Sequence, residues 1–280
     1  MAKPRVLLEG LCFPEGPRWR DGKLWFADMH ARRVMTLDAS GHAETLFEPG
    51  DEPSGMGWLP DGRLLVVAMH QRKLLRREPD GALALHADLS QVAHFHANDM
   101  VVDARGRAYV GNFGFDLNGG APPRATNLAL VHPDGRVEIA ADDLMFPNGT
   151  VLTPDGRTLV VAESFRAQLT AFDVADDGTL SNRRTWATLE RAVPDGICLD
   201  AEGAIWVASP ISQGVLRVRE GGEVAQKIAV ATQAYACMLG GAERRTLYLC
   251  TAESHDPSKT GARRGRIEAI EVDAPGAGLP

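Results

Sequence analysis

The sequence predicts an all-β protein, a six-bladed β-propeller with four-stranded blades. Three observations point to this fold. A motif recurs six times, each interval between copies has room for about four short strands, and no long helical pattern interrupts them. A period of this size with four strands per unit is typical of propellers, whose blades surround a central channel.

The recurring motif is an apolar strand, a tight turn and a second apolar strand. It is clearest in "FPEGPRWRDGKLWFAD" from Phe13 and in "FPNGTVLTPDGRTLVVAE" from Phe146. The turns carry the glycine that short hairpin turns favour. The aligned Pro or Ala positions are 14, 53, 97, 147, 194 and 234, which gives spacings of 39, 44, 50, 47 and 40 residues. Each copy therefore predicts one blade.

The strand-like run "PRVLLEG" near the N-terminus has no blade of its own. We expect it to pair with "GRIEAIEV" in the last blade and so to close the ring. No linker separates the copies. Residues 1–280 are therefore predicted to form a single domain.

Composition argues against several functional classes. The net charge is −7 and charges of both signs are mixed along the chain, so a nucleic-acid partner is not expected. No apolar run is long enough to span a bilayer, and the first residues lack the pattern of a signal peptide. The cysteines, Cys12, Cys198, Cys237 and Cys250, lie far apart in strand-like runs, as buried free thiols do in a reducing compartment. We expect a cytoplasmic protein without a membrane partner.

The residue after each aligned Pro or Ala is unexpectedly polar. If this strand is the innermost of its blade, equivalent positions face one end of the channel. In chain order they are Glu15, Ser54, Asn98, Asn148, Asp195 and Tyr235. Amides and carboxylates are poor strand formers, and burying carboxylates together without a counter-charge is costly. A cation on the central axis resolves both objections.

Glu15, Asn98, Asn148 and Asp195 are therefore the predicted metal ligands. An all-oxygen set suits hard divalent cations, Ca²⁺ first and Mg²⁺ or Mn²⁺ next, with Zn²⁺ as a further option. The alternative is that these side chains only cap the inner strands through hydrogen bonds. A separate zinc site at His94-Phe95-His96 would need a third ligand, which the neighbouring sequence does not offer.

Four motifs together resemble the family of gluconolactonases, regucalcin (senescence marker protein) and luciferin-regenerating enzymes. They are "FPEGPRW", "ND" before an apolar strand, "FPNG...TPDG" and "PDGICLD...G.IWVA". The resemblance spans nearly the whole chain and implies a propeller with a divalent cation on its axis. It implies ligands at Glu15, Asn148 and Asp195, with Asn98 as a ligand or substrate contact. The ligand set is also similar to that of diisopropyl fluorophosphatase, so fold and metal alone do not fix the reaction.

One position departs from the family pattern. Sugar lactonases of the family typically carry Arg two residues before the Asn of the third motif, and here that residue is His96. We predict that His96, Asn98, Phe113 and Phe115 contact the substrate, and that the substrate is a less hydroxylated lactone. Phe113 and Phe115 are two residues apart, so in an extended segment both rings point to one side, and the alternative is that both pack between blades. The Gly- and Pro-rich run 118–127 is predicted to be a loop that can cover the channel mouth.

The sequence therefore predicts a metal-dependent hydrolase, a lactonase of the gluconolactonase type that opens a small lactone. The cation would act as a Lewis acid and Asp195 as the general base, with Asp99 bracing the segment beside Asn98. Two alternatives stay open. One is a phosphotriesterase-like hydrolase on the same site, and the other is a non-catalytic calcium-binding propeller.

Overall fold

The computed structural model describes residues 3–278 and shows the predicted six-bladed propeller. Its strands form six antiparallel sheets of four strands each. The helices described are four 3-10 turns, Met29–Ala31, Ser164–Arg166, Pro210–Ser212 and Thr260–Ala262. None of the helices in this range is long or apolar enough to cross a membrane.

The strands follow the repeats in chain order. Strand β1 is Arg5–Leu11. Blades 1, 2 and 3 are formed by β2 Pro14–Arg20, β3 Lys23–Asp28, β4 Arg33–Asp38 and β5 Ala43–Phe47; by β6 Pro53–Trp58, β7 Leu64–Ala68, β8 Lys73–Arg77 and β9 Leu83–Asp88; and by β10 Ala97–Val102, β11 Ala108–Asn112, β12 Thr126–Val131 and β13 Val137–Leu144. Blades 4, 5 and 6 are formed by β14 Pro147–Leu152, β15 Thr158–Glu163, β16 Gln168–Val174 and β17 Leu180–Thr188; by β18 Ile197–Leu199, β19 Ile205–Ser209, β20 Gly214–Val218 and β21 Val224–Ala229; and by β22 Gln233–Gly240, β23 Thr246–Ala252, β24 Gly265–Glu271 and β1.

The ring closes as predicted, through the pairing of the first and last strands. Strand β1 lies antiparallel to β24, with Arg5 opposite Ala269 and Leu11 opposite Gly265. Blade 6 thus takes three strands from one end of the chain and its outermost strand from the other. This pairing covers an edge that β24 would otherwise expose.

The core lies between the faces of neighbouring blades. The first strand of each blade is the innermost and packs against the first strands of the blades beside it. All six residues of β10 and all six of β14 are buried, because these strands have protein on both faces. The outermost strands are more polar and more exposed, as in β21, where a single residue is buried.

The polar residue at the start of each inner strand sits at an irregular point of the sheet. A register shift encloses or directly follows it in five of the six blades, for example between Pro147 and Thr150 and between Glu15 and Arg18, whereas Asp195 precedes β18. Such bulges re-aim a side chain, here toward the channel. The residue that follows the polar one packs closely against the neighbouring blade. A Cβ on Gly149 would lie 2.5 Å from the carbonyl oxygen of Asp195, to which its N–H donates at 3.2 Å.

Candidate active site

One end of the channel opens into a cavity of about 480 Å³. Five of the six aligned polar positions line it: Glu15, Asn98, Asn148, Asp195 and Tyr235. The sixth, Ser54, is buried behind them, and its hydroxyl donates to Asn98 Oδ1 at 3.3 Å. The structure therefore brings all four predicted ligands to the floor of one cavity, although they come from blades 1, 3, 4 and 5.

Asn148 and Asp195 contact each other directly at this floor. The Asn148 Nδ2 group donates to Asp195 Oδ1 at 2.5 Å and to Ser164 Oγ at 3.2 Å, while the Ser164 hydroxyl donates to the Pro194 carbonyl at 2.7 Å. These bonds hold the amide nitrogen toward blade 5. The carbonyl oxygen is then the end of the Asn148 amide that remains for a ligand.

The two floor carboxylates carry no direct counter-charge. Burial, followed by the charge of Asp195, raises the pKa of Glu15 well above its ordinary value, although Gly16 N–H donates to Glu15 Oε2 at 2.9 Å. Burial is also the main reason that the pKa of Asp195 is raised. Within the described chain neither carboxylate forms a salt bridge, and none of the residues that line the cavity is Lys or Arg. The floor therefore has an excess of acidic groups that a bound cation would stabilise.

Asn98 adds an unpaired polar atom to the same floor. Its Nδ2 atom is buried and has no hydrogen-bond partner. Buried polar groups are nearly always paired, so this atom needs a functional explanation. The Asn98 amide can be rotated by 180° so that its nitrogen and oxygen exchange places. The contact with Ser54 is then kept, because a hydroxyl group both donates and accepts hydrogen bonds. The carbonyl oxygen of Asn98 becomes the atom without a partner. The side chain then fits a cation ligand.

The donor set as a whole fits a hard divalent cation. It consists of carboxylate and amide oxygens, the ligands that Ca²⁺ takes in proteins. Within residues 3–278, no three His, Cys, Asp or Glu side chains come together as a metal site. A cation at the floor would therefore depend on the two amides as well as on Glu15 and Asp195.

A buried ion pair holds the strands beneath the floor. Arg18 Nη2 lies 2.6 Å from Asp99 Oδ1, and the two side chains are 4% and 9% exposed. Arg18 also donates to the carbonyls of Met56 and Met100, at 2.9 and 2.5 Å. One side chain of blade 1 thus bonds to blades 2 and 3. Asp99 accepts in addition from the N–H of Met100 at 2.8 Å, which braces the backbone beside Asn98.

His30, Glu52 and His70 lie on one wall of the cavity, and the buried Asp51 contacts His70. Glu52 Oε2 lies 3.1 Å from His30 Nδ1 and 3.6 Å from His70 Nε2. His70 Nδ1 lies 3.3 Å from Asp51 Oδ1, a hydrogen bond that raises the pKa of His70. The other ring nitrogen of His30 lies 3.3 Å from the carbonyl oxygen of His255. We name His30, Asp51, Glu52 and His70 the imidazole cluster.

His96 lines the cavity next to this cluster, as the sequence predicts. Its ring centre is 4.3 Å from that of His70 and 4.0 Å from that of Phe95. Burial and then the nearby His70 lower the pKa of His96 to about 4. The imidazole is therefore neutral at pH 7 and cannot replace the charge of an arginine.

The two phenylalanines predicted as substrate contacts differ in position. Phe113 lines the cavity, whereas Phe115 is not among the lining residues. The buried ring of Phe115 packs instead against Phe146, at 5.9 Å between ring centres, and edge-on against Phe165 at 5.0 Å. The two rings do not point to the same side, because β11 ends at Asn112 and the chain after it turns rather than staying extended. Of the predicted loop 118–127, Asn118 reaches the cavity.

The rim of the cavity is built from the turn that follows the second strand of each blade. From blade 1 to blade 6 these turns contribute His30, His70, Phe113 with Leu117, Phe165, Ile211 and His255. Three neighbouring blades, 6, 1 and 2, thus place imidazoles at the rim. The other three, blades 3, 4 and 5, place large apolar side chains there.

Comparison with known proteins identifies the family of this chain. The family model described as "SMP-30/Gluconolactonase/LRE-like region" matches residues 13–253, which is most of the chain. The chain belongs to this family.

Two curated relatives and one solved structure span nearly the whole propeller. The 6-deoxy-6-sulfogluconolactonase of Pseudomonas putida is 27% identical over 95% of this chain and 93% of its own length. The regucalcin of Xenopus laevis is 28% identical over 95% of this chain and 92% of its own length. A calcium-binding protein, regucalcin, from Agrobacterium tumefaciens covers 100% of this chain and 99% of its own, with a TM-score of 0.83 and 23% identity. At that identity the structural match shows the shared fold.

Proposed function

We propose that this protein is a metal-dependent hydrolase that opens a lactone ring. The observation that carries the proposal is the cavity floor, where two carboxylates and two amides converge without Lys or Arg among the lining residues. Family membership supports the same reaction class, since one relative that spans nearly the whole chain is a lactonase by name. The residues of this chain must then bind a cation, place the lactone and activate water.

Glu15, Asn148 and Asp195 would hold the cation, with Asn98 as a fourth protein ligand or a substrate contact. Ca²⁺ is the first candidate because the donors are all oxygen. The calcium-binding regucalcin structure supports this choice. When bound, the cation supplies Lewis-acid polarisation of the lactone carbonyl.

Asp195 is the proposed general base. One of its carboxylate oxygens would hold the cation, and the other can take a proton from the attacking water. Asn148 Nδ2 donates to Asp195 Oδ1 at 2.5 Å. The hydrogen bond from Asn148 also fixes the orientation of the Asp195 carboxylate. The backbone of Asp195 is anchored in blade 5, because its N–H donates to the Ala208 carbonyl at 3.0 Å. Asn98 and neutral His96 would orient the lactone above this base.

The two alternatives differ from the proposal in what they require of the cavity. A phosphotriesterase-like hydrolase would use the same floor, and the substrate decides between the two reactions. The alternative of a calcium-binding protein without activity is suggested by the solved structure that is described as a calcium-binding protein. Such a protein has no need of a cavity of about 480 Å³ above the cation, whereas an enzyme does.

The test of the proposal is Asp195→Asn at saturating Ca²⁺. The variant keeps an oxygen ligand and removes the base, so lactone hydrolysis should fall at least about a hundredfold. Asp142→Asn is the matched control, because Asp142 is an exposed carboxylate on the outer strand β13. Turnover of the best lactone that survives in Asp195→Asn would exclude this residue as the base. A wild type that cleaves phosphotriesters or nothing at all would favour the corresponding alternative.

A further inference from the structure

The apolar half of the rim, which we define as Phe113, Leu117, Phe165 and Ile211, exposes side chains that a folded protein normally covers. Six large hydrophobic side chains in residues 3–278 are exposed. Four of them lie on the outermost strands of their blades, Val6, Leu85, Ile139 and Val224. The other two, Phe165 at 42% and Ile211 at 64%, line the cavity. Isolated exposed side chains on outer strands are ordinary, whereas neighbouring ones at a cavity mouth mark a binding surface.

Phe165, the blade 4 member of this half, is held in place by the packing behind it. The Phe165 ring lies 5.0 Å from Phe115 and 5.4 Å from Phe146, between ring centres. Phe146 has a φ of +61°, a conformation that is rare for a phenylalanine. The residue before it is anchored, because Met145 N–H donates at 2.8 Å to the fully buried carboxylate of Glu163. A side chain fixed in this way loses little conformational entropy when it binds an apolar group.

The other half of the rim consists of His30, His70 and His255, and the first two imidazoles are already paired with carboxylates. Glu52 is already paired with His30 and lies close to His70, and His70 is paired with Asp51. A sugar lactone would have to displace these bonds to be recognised through them. The cavity, at about 480 Å³, is also in the size range that accepts a ligand much larger than a single small ring.

We propose that the apolar half of the rim binds an alkyl or aryl substituent of the substrate while the lactone ring lies over the cavity floor. The substrate class is then a lactone with a hydrophobic side chain. This inference rests on the proposed lactonase function, and it adds a subsite built by blades 3, 4 and 5.

The test uses a series of lactones with one ring size and side chains of increasing length. In the wild type, kcat/KM should rise by about three- to fourfold for each added methylene until the cavity is filled. Phe165→Ser and Ile211→Ser should each reduce this dependence on chain length. Ile139→Ser is the matched control, since the exposure of Ile139, 56%, lies between those of Phe165 and Ile211 and the residue is on the outer strand β13. Thermal unfolding of the four proteins confirms that all are folded.

A second measurement separates this inference from the proposed function. Lactams with the same side chains should bind without turnover, and calorimetry gives their affinity directly. Lactone hydrolysis with no dependence on chain length, or equal losses in Ile139→Ser, would overturn the subsite. Lactam affinity that rises with chain length in a protein without hydrolysis would support the subsite and overturn the lactonase function.

Discussion

Replacing Arg18 by methionine should destabilise the propeller more than any surface charge change. The guanidinium bonds to Asp99 and to the carbonyls of Met56 and Met100 in an almost fully buried position. Methionine fills similar space but leaves the Asp99 carboxylate without its partner. Breaking a buried pair in this way costs about 3–5 kcal/mol. At about 2–4 °C per kcal/mol for a chain of this size, Tm should fall by about 6–20 °C.

Thermal and urea unfolding of wild type and Arg18→Met measure this effect. Arg219→Met is the matched control, because Arg219 pairs with Glu223 at 3.0 Å on the exposed surface and should change stability little. Adding Asp99→Asn to Arg18→Met should restore part of the loss, since it removes the unpaired charge. A Tm for Arg18→Met within error of that for Arg219→Met would show that the ion pair does not hold blades 1 to 3 together.

Two further predictions concern the wall of the cavity. His96→Arg should raise kcat/KM for a sugar lactone relative to an alkyl lactone by about tenfold or more, because a charged donor replaces a neutral ring. An unchanged ratio of the two kcat/KM values would mean that other residues of the rim determine specificity. His70 should stabilise the fold mainly at low pH, because its hydrogen bond to Asp51 raises its folded pKa above 6.5. That stability is present below the ordinary pKa and is lost as the pH rises through the raised value. The Tm difference between wild type and His70→Asn should therefore be larger at about pH 5.5 than at about pH 8.5, and an equal difference at both would contradict it.

The fold could be predicted almost completely from the sequence because each blade repeats the same local pattern. The hairpin turns and apolar runs identify the strands, and the unmatched run at Arg5–Leu11 identifies the closing strand. The aligned polar positions also located the cavity floor. A propeller places equivalent residues at equivalent depth, so Glu15, Asn98, Asn148 and Asp195 meet although they are far apart in sequence.

The walls of the cavity could not be predicted in the same way. Phe115 was expected at the cavity because it is two residues from Phe113, but that spacing applies only to an extended chain. The roles of Glu52 and Arg18 could not be predicted, because a single acidic or basic residue near a motif is common in any sequence. The rim could have been found by aligning the residues after each second strand. That alignment places His30 and His70 opposite Phe165 and Ile211.

The most direct test of the central claim measures bound cation and lactone hydrolysis in the same metal-stripped samples as Ca²⁺ is added. We predict one cation per chain in the wild type, with hydrolysis rising in proportion to occupancy. Glu15→Ala and Asp195→Ala should bind the cation far more weakly, because each removes one of the two neutralising charges. Asn148→Ala should lose less, because a water can replace a neutral carbonyl. Full occupancy in both carboxylate variants, or undiminished hydrolysis in the chelated wild type, would contradict a metal-dependent lactonase built on this floor.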